Sequence, residues 1–156
     1  MRISVVIPTL NEEKEISRAL EDLFTQHSPD EVIVVDGGSS DRTRQLASKW
    51  ARVTSSRKGR AYQMNAGARE ATGEILLFLH ADTRLPARGL EKIQEVIQQG
   101  KEAGRFRMRF DEERWLLRFY SSYTRFHFFS YGDQGFFVKR QLFWEIGGYR
   151  EDVPFE

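Results

Sequence analysis

The chain has 156 residues, 40% hydrophobic and 13% aromatic, which is enough to bury one core and too little to favour a second domain. Its 24 Lys and Arg against 23 Asp and Glu leave a net charge of +1, so the overall positive field that recruits nucleic acid is absent and no nucleic-acid partner is expected. With no cysteine, disulfides, thiolate nucleophiles and cysteine-ligated metals are excluded, a composition that suits the cytoplasm.

Met1 leads directly into an apolar run, so no signal peptide is expected, and no run approaches the roughly 20 apolar residues of a membrane span. Ile3 to Ile7 is a continuous branched-apolar stretch, the pattern of a strand buried on both faces, and Pro8 closes it. From Glu12 to Gln26, Ile16, Ala19, Leu20 and Leu23 recur at helical spacing behind an acidic first turn; Ser28-Pro29-Asp30 ends that helix. Glu31 to Val35 predicts a second buried strand. Gly37-Gly38 permits a sharp turn, and Ser39, Ser40 or Asp41 is placed to cap a helix running through Lys49. Val53 to Ser55 reads as a short strand, Arg60 to Ala71 as a helix, Ile75 to Leu79 as the next central strand, and the stretch beyond Pro86 as a helix stopping at Gln99-Gly100. Arg105 to Phe110 alternates basic and apolar residues like a strand with one wet face. Phe136 to Val138 predicts a further strand, and 141 to 149 a short helix ending at Gly147-Gly148.

Strands alternating with helices predict an open α/β sheet, and such sheets bind ligands outside the carboxyl ends of their strands. Three runs end in polar tips: Pro8-Thr9-Leu10-Asn11-Glu12, Asp36-Gly37-Gly38-Ser39-Ser40-Asp41 and His80-Ala81-Asp82-Thr83. Asp36 is a candidate acceptor for a ribose or base, with a turn cap as the competing reading. Asp82 is a candidate ligand for Mg²⁺ or Mn²⁺ against phosphate oxygens, with His80 beside it. Arg57, Lys58 and Arg60 stand before a helix, where they suit a diphosphate, Arg60 best of the three; for Lys58 a solvated loop is the favoured reading. Asn65 offers an amide to a base or ribose, and Gly67 permits either close ligand approach or close helix packing.

In the second half, Trp115 to Tyr131 interleaves ten aromatic or leucine side chains with Arg118 and Arg125, following Arg114. The composition over 114–131 suits a helix packed on the core or a partner subunit, and also a membrane surface or an apolar acceptor. Gly132-Asp133-Gln134-Gly135 permits a tight turn that presents Asp133 and Gln134 to sugar hydroxyls.

The set Val5 to Glu12, Val34 to Asp41, Asn65-Ala66-Gly67 and Leu79 to Asp82 resembles the family 2 glycosyltransferases of the GT-A fold over almost the whole chain. His80-Ala81-Asp82 and Gly132 to Gly135 make it most similar to the bacterial radical-SAM/selenodomain-associated transferases. The resemblance implies a Rossmann-like three-layer α/β/α architecture with a mostly parallel central sheet. It implies an inverting, metal-assisted transfer from a nucleotide-sugar donor, with UDP-sugar favoured, to a sugar, lipid-linked or small-molecule acceptor. Pro8, Thr9, Asn11 and Glu12 would line the nucleotide pocket, with Asp36, Gly37 and Ser39 at the base. The segment from Arg60 through Asn65 and Gly67 would close over the nucleotide, and Asp82 would take Mg²⁺ or Mn²⁺. His80 stands where many relatives have a ribose-contacting aspartate. An acidic pair would follow the Gly147-Gly148 element, its aspartate acting as base. Glu156 matches the first member of that pair, so the base is expected at the next position or from Glu156 itself. The chain is therefore expected to be one GT-A domain over 1–156, cut short at its C-terminal end. It would be cytoplasmic or peripheral at the inner membrane face. The alternative is a non-catalytic nucleotide-sugar-binding protein or scaffold; nucleotidyl transfer would predict a glycine- and lysine-rich loop where Pro8 to Glu12 stands.

Overall fold

The computed structural model describes residues 1–106 and 135–152. The apolar runs form β1 (Ile3–Thr9), β2 (Glu31–Asp36), β3 (Arg52–Ser55) and β4 (Ile75–Phe78). β1 lies between β2 and β4 and pairs in parallel with both, and β3 adds in parallel to the far side of β2. Two further strands, β5 (Ala103–Arg105) and β6 (Phe136–Lys139), complete a six-stranded sheet of order β3-β2-β1-β4-β6-β5. β6 runs antiparallel to both its neighbours, so the sheet is mixed but mostly parallel.

Alternate side chains of the central strands feed two separate cores. On one face Ile3, Val5, Ile7, Val34 and Leu77 pack against α1 (Ile16–His27), α2 (Thr43–Ala47) and α4 (Gly89–Gln98). On the other, Val6, Ile33, Val35, Leu76 and Phe78 pack against α3 (Arg60–Glu70) and Phe143 of α5 (Arg140–Glu145). This is the expected three-layer arrangement. Ile16, Leu20 and Leu23 are buried, and at about 1.5–3 kcal/mol per fully buried aliphatic side chain they dominate the docking of α1.

Two helix boundaries depart from the sequence expectation. α1 begins at Ile16 with no acidic residue in its first turn, because Asn11 turns the chain at φ 54° and the Glu12 and Glu13 N–H groups are drawn to Thr43 and Asp41. α2 is only five residues long: it begins at Thr43, whose N–H donates to Asp41 while Ser39 and Ser40 bond to Asn11 across the loop, and it ends before Lys49. The remaining elements fall within a few residues of expectation, β5 beginning at Ala103 rather than Arg105. The stretch from 107, including most of the expected strand to Phe110 and the aromatic segment 114–131, lies outside the described residues.

α3 seats directly on the sheet at Gly67. A Cβ there would come within 2.3 Å of Val6 Cγ1 and 2.9 Å of Val35 Cγ2, so this glycine serves close packing.

Candidate functional site

The parallel strands β1, β2 and β4 end on the same edge of the sheet, and the turns that follow them face one another there. The first two turns are laced together. Asn11 N–H donates to Ser39 Oγ (2.8 Å), Ser40 N–H donates to Asn11 Oδ1 (2.9 Å), and Glu12 N–H donates to Thr43 Oγ1 (2.7 Å). Gly37 N–H closes the β1–β2 ladder on the Thr9 carbonyl at 2.9 Å. Pro8 is half-buried and Thr9 buried beneath this lattice.

Asp36 is fully buried. Its Oδ2 accepts from Gly38 N (3.0 Å) and Ser39 N (2.9 Å), and its Oδ1 accepts from Ser39 Oγ at 2.5 Å, with Thr9 Oγ1 more distant at 3.5 Å. Those bonds fix the glycine turn, the capping role; an ionised carboxylate has about four acceptor sites, so they do not exclude a ligand. Asp41 is similarly committed, accepting from Thr43 N and Oγ1 and from Glu13 N. These bonds hold its carboxyl below the ordinary range against the opposing effect of desolvation, the largest contribution.

The third tip is open. Asp82 is exposed, and its carboxylate accepts from Thr83 Oγ1 at 3.3 Å; His80 is half-buried, its carbonyl accepting from Thr83 N at 3.0 Å. Glu12 lies near enough for Asp82 to act on it: burial first, then the negative charge of Asp82, push its carboxyl above the usual value. On the other flank, Arg57 stacks on Tyr62 with its guanidinium carbon 4.6 Å from the ring centroid. Lys58 is exposed ahead of α3 and Arg60 is exposed at its first position, and neither makes an ion pair among the described residues. Because α3 follows a parallel strand, its N-terminus lies on the tip side of the sheet, where its dipole favours an anion.

Two further expected site residues have structural contacts of their own. Asn65 clamps the C-terminal loop, its Nδ2 donating to the Tyr149 carbonyl (2.9 Å) and Glu151 Oε1 (2.8 Å) while its Oδ1 accepts from Tyr149 N (2.9 Å). Gly67 packs against Val6 and Val35. Asp133, Gln134 and Glu156 lie outside the described residues. A residue that pattern reading passed over, Gln63, reaches under the first two tips. Its Nε2 donates to the carbonyls of Thr9 (2.7 Å) and Val35 (2.8 Å). The available signal was a glutamine on the same helical face as Gly67, one turn earlier, where an apolar residue would otherwise pack.

The fold and the open strand tips define a doubly wound α/β domain built to hold a ligand at its carboxyl edge. The chain belongs to glycosyl transferase family 2, whose family model matches residues 4–150, and its architecture is the GT-A fold. It is 34% identical over 113 residues to an uncharacterized glycosyltransferase of Nostoc sp., covering 67% of this chain and 35% of that protein. Among solved structures it resembles a mannosyltransferase from Pyrobaculum calidifontis in complex with GDP-Man and Mn²⁺, with TM-score 0.71 and 27% identity, covering 97% of this chain and 48% of that one. It also resembles glucosyl-3-phosphoglycerate synthase from Mycobacterium tuberculosis in complex with Mn²⁺, UDP and glucosyl-3-phosphoglycerate, with TM-score 0.67 and 25% identity, covering 90% of this chain and 57% of that one. The chain thus spans about a third of the length of its Nostoc relative.

Proposed function

We propose that this chain binds a nucleoside-diphosphate sugar at the strand tips and transfers the glycosyl group to an acceptor hydroxyl with inversion. The observation that carries the reading is the division of labour among the tip carboxylates. Asp36 and Asp41 brace the turns, whereas Asp82 stands exposed at the third tip with its field felt by Glu12. Pro8, Thr9, Asn11, Glu12, Gly37, Ser39 and His80 line the donor crevice in this reading. Arg57, Lys58, Arg60 and the α3 N-terminus face the diphosphate.

The donor set fits Mg²⁺ or Mn²⁺. An exposed carboxylate is a hard oxygen ligand, and magnesium commonly takes only one or two protein carboxylates beside phosphate oxygens. No group of three or more acidic, His or Cys side chains forms a cage among the described residues, so Asp82 would share the ion with the donor's own phosphates. Bound there, the ion supplies charge stabilisation to the leaving diphosphate. The acceptor oxygen attacks the anomeric carbon and the bond from that carbon to the diphosphate oxygen breaks. The acceptor proton passes to a carboxylate base, for which Glu156 is this chain's candidate.

Uridine is the favoured base, with guanosine the competitor that the Pyrobaculum complex suggests. The narrower placement among radical-SAM/selenodomain-associated transferases rests on His80-Ala81-Asp82 and Gly132 to Gly135. No helix among the described residues is long and apolar enough to cross a membrane; the composition of 114–131 supports a peripheral or dimeric contact at the cytoplasmic face. Calorimetric titration of UDP, GDP and dTDP with and without Mn²⁺ tests the reading. Metal-dependent binding of one of them, abolished in Asp82→Ala, is the expected result. A folded protein that binds none of them overturns it and leaves a scaffold.

A further inference from the structure

Arg57 leaves the sheet beside the second strand tip: Ser55 pairs with Asp36 at the end of β3, and Ser56 N–H donates to the Asp36 carbonyl at 3.0 Å. Arg57 is exposed, and among the described residues its side chain forms no hydrogen bond and no ion pair. Its charged neighbours in sequence, Lys58 and Arg60, repel it. What holds it is the half-buried ring of Tyr62 in the first turn of α3, with the guanidinium carbon 4.6 Å from the ring centroid. Gly59 makes that contact possible. At φ 137° it turns the chain between the two residues, and a Cβ there would come within 2.8 Å of Tyr62 Cδ2. The kind of seat matters, because a ring face attracts the cation without accepting its N–H hydrogens. A carboxylate partner would occupy the guanidinium fork; the ring leaves it open.

We propose that Tyr62 is a positioning residue of the donor site: its ring holds the Arg57 guanidinium at the edge of the strand-tip crevice with its N–H fork free for the donor's diphosphate. This deepens the donor-site reading and rests on it. Tyr62 acts through Arg57 and touches no part of the donor. An arginine loose in solvent loses its rotamer freedom when it binds a phosphate. Seated on the ring, Arg57 has given up part of that freedom beforehand, so the diphosphate meets a donor fork already in place. The ring alone carries the effect, and the Tyr62 hydroxyl has no part in it.

The test is a double-mutant cycle read by calorimetry, with Mn²⁺ and whichever of UDP and GDP the protein binds. Arg57→Ala is expected to weaken that nucleotide about tenfold, the loss of one charge-assisted bond to phosphate. Tyr62→Leu, shown to be folded by its melting transition, is expected to weaken it about three- to fivefold, the worth of an exposed cation–π contact. The double variant should bind no more weakly than Arg57→Ala alone, since the ring then has nothing to hold, and Tyr62→Phe should bind like the native protein. Losses that multiply in the double variant would show Tyr62 acting independently of Arg57 and overturn the proposal. Native affinity in folded Tyr62→Leu, or in Arg57→Ala, would overturn it too and leave the donor site standing. Absence of nucleotide binding by the native protein removes the donor site itself and this role with it. Should Tyr62→Leu not fold, a ring-fluorinated phenylalanine at position 62 decides, for it keeps the shape and cancels the negative face. Binding about threefold weaker than that of Tyr62→Phe supports the proposal, and equal binding overturns it.

Discussion

The tips of β2 and β4 look alike in sequence and differ in what their aspartates do. Each follows an apolar strand within a few residues, Asp36 before two glycines and Asp82 before a threonine. Asp36 is fully buried and accepts from two backbone N–H groups and a serine hydroxyl, whereas Asp82 is exposed and accepts from one threonine hydroxyl at 3.3 Å. The turn after β2 curls back so that its own N–H groups converge on the carboxylate; the turn after β4 does not. A strand-tip carboxylate that its own turn has engaged offers a ligand fewer free lone pairs than one left exposed.

The sharpest way to break this contrast is to remove Asp36. Asp36→Ala leaves Gly38 N–H, Ser39 N–H and the Ser39 hydroxyl without their acceptor in a turn that is only partly buried, and at about 1–3 kcal/mol per unsatisfied group, less where water reaches, a loss of about 3 kcal/mol is expected. Urea unfolding measures it; a loss under about 1 kcal/mol would mean that water replaces the carboxylate and that the turn does not depend on it. Gly67→Ala comes next, pushing a methyl group into Val6 and Val35 beneath the same tips. Overpacking of this kind costs about 1–3 kcal/mol, and thermal denaturation of the variant should show it.

The branched runs from Ile3, Glu31 and Ile75 made the central strands legible, because a strand buried on both faces needs continuous apolar residues. Gly100, at φ 87°, ends α4 where a glycine after a periodic stretch predicts a stop. Strand order was less accessible: β6 inserts antiparallel between β4 and β5 through pairing across a long sequence separation, which local pattern does not encode. In the site, the residues of the first two turns were identifiable as a group, but their separate tasks were not. Whether Asp36 caps a turn or faces a ligand depends on where the N–H groups of Gly38 and Ser39 point. Gln63 was hidden for a related reason, since its partners are main-chain carbonyls 54 and 28 residues away.

β2 also carries a carboxylate at its other end, which sharpens the comparison through pH. Glu31 accepts from the Ser4 hydroxyl, Thr72 N (2.9 Å) and Thr72 Oγ1 (3.3 Å). Desolvation is the largest single influence and raises its pKa, but these bonds and the Arg52 charge outweigh it and leave the carboxyl below 4.5. A lowered folded-state value contributes stability above the unfolded pKa that is lost as pH falls through the folded one. Glu31→Gln should therefore cost about 1 kcal/mol at neutral pH, and the gap from the native protein should shrink in acid. Urea midpoints at the two pH values check this; a gap that widens in acid contradicts the assignment.

The smallest effect on stability is expected at Asp82, and it is the most discriminating. Exposed, with one long side-chain bond and close enough to Glu12 to raise its pKa, the Asp82 carboxylate has little to contribute to the fold. Asp82→Ala should shift the unfolding free energy by no more than about 0.5 kcal/mol in either direction, the ordinary range for a surface substitution. Relief of repulsion on Glu12 would offset the lost threonine bond. The same variant should lose the Mn²⁺-dependent part of nucleotide binding, so calorimetry and urea unfolding of one sample separate the two roles. Had the β4 tip been built like the β2 tip, stability and binding would fall together. A variant that unfolds easily while still binding nucleotide with Mn²⁺ would reverse the assignment of the two aspartates.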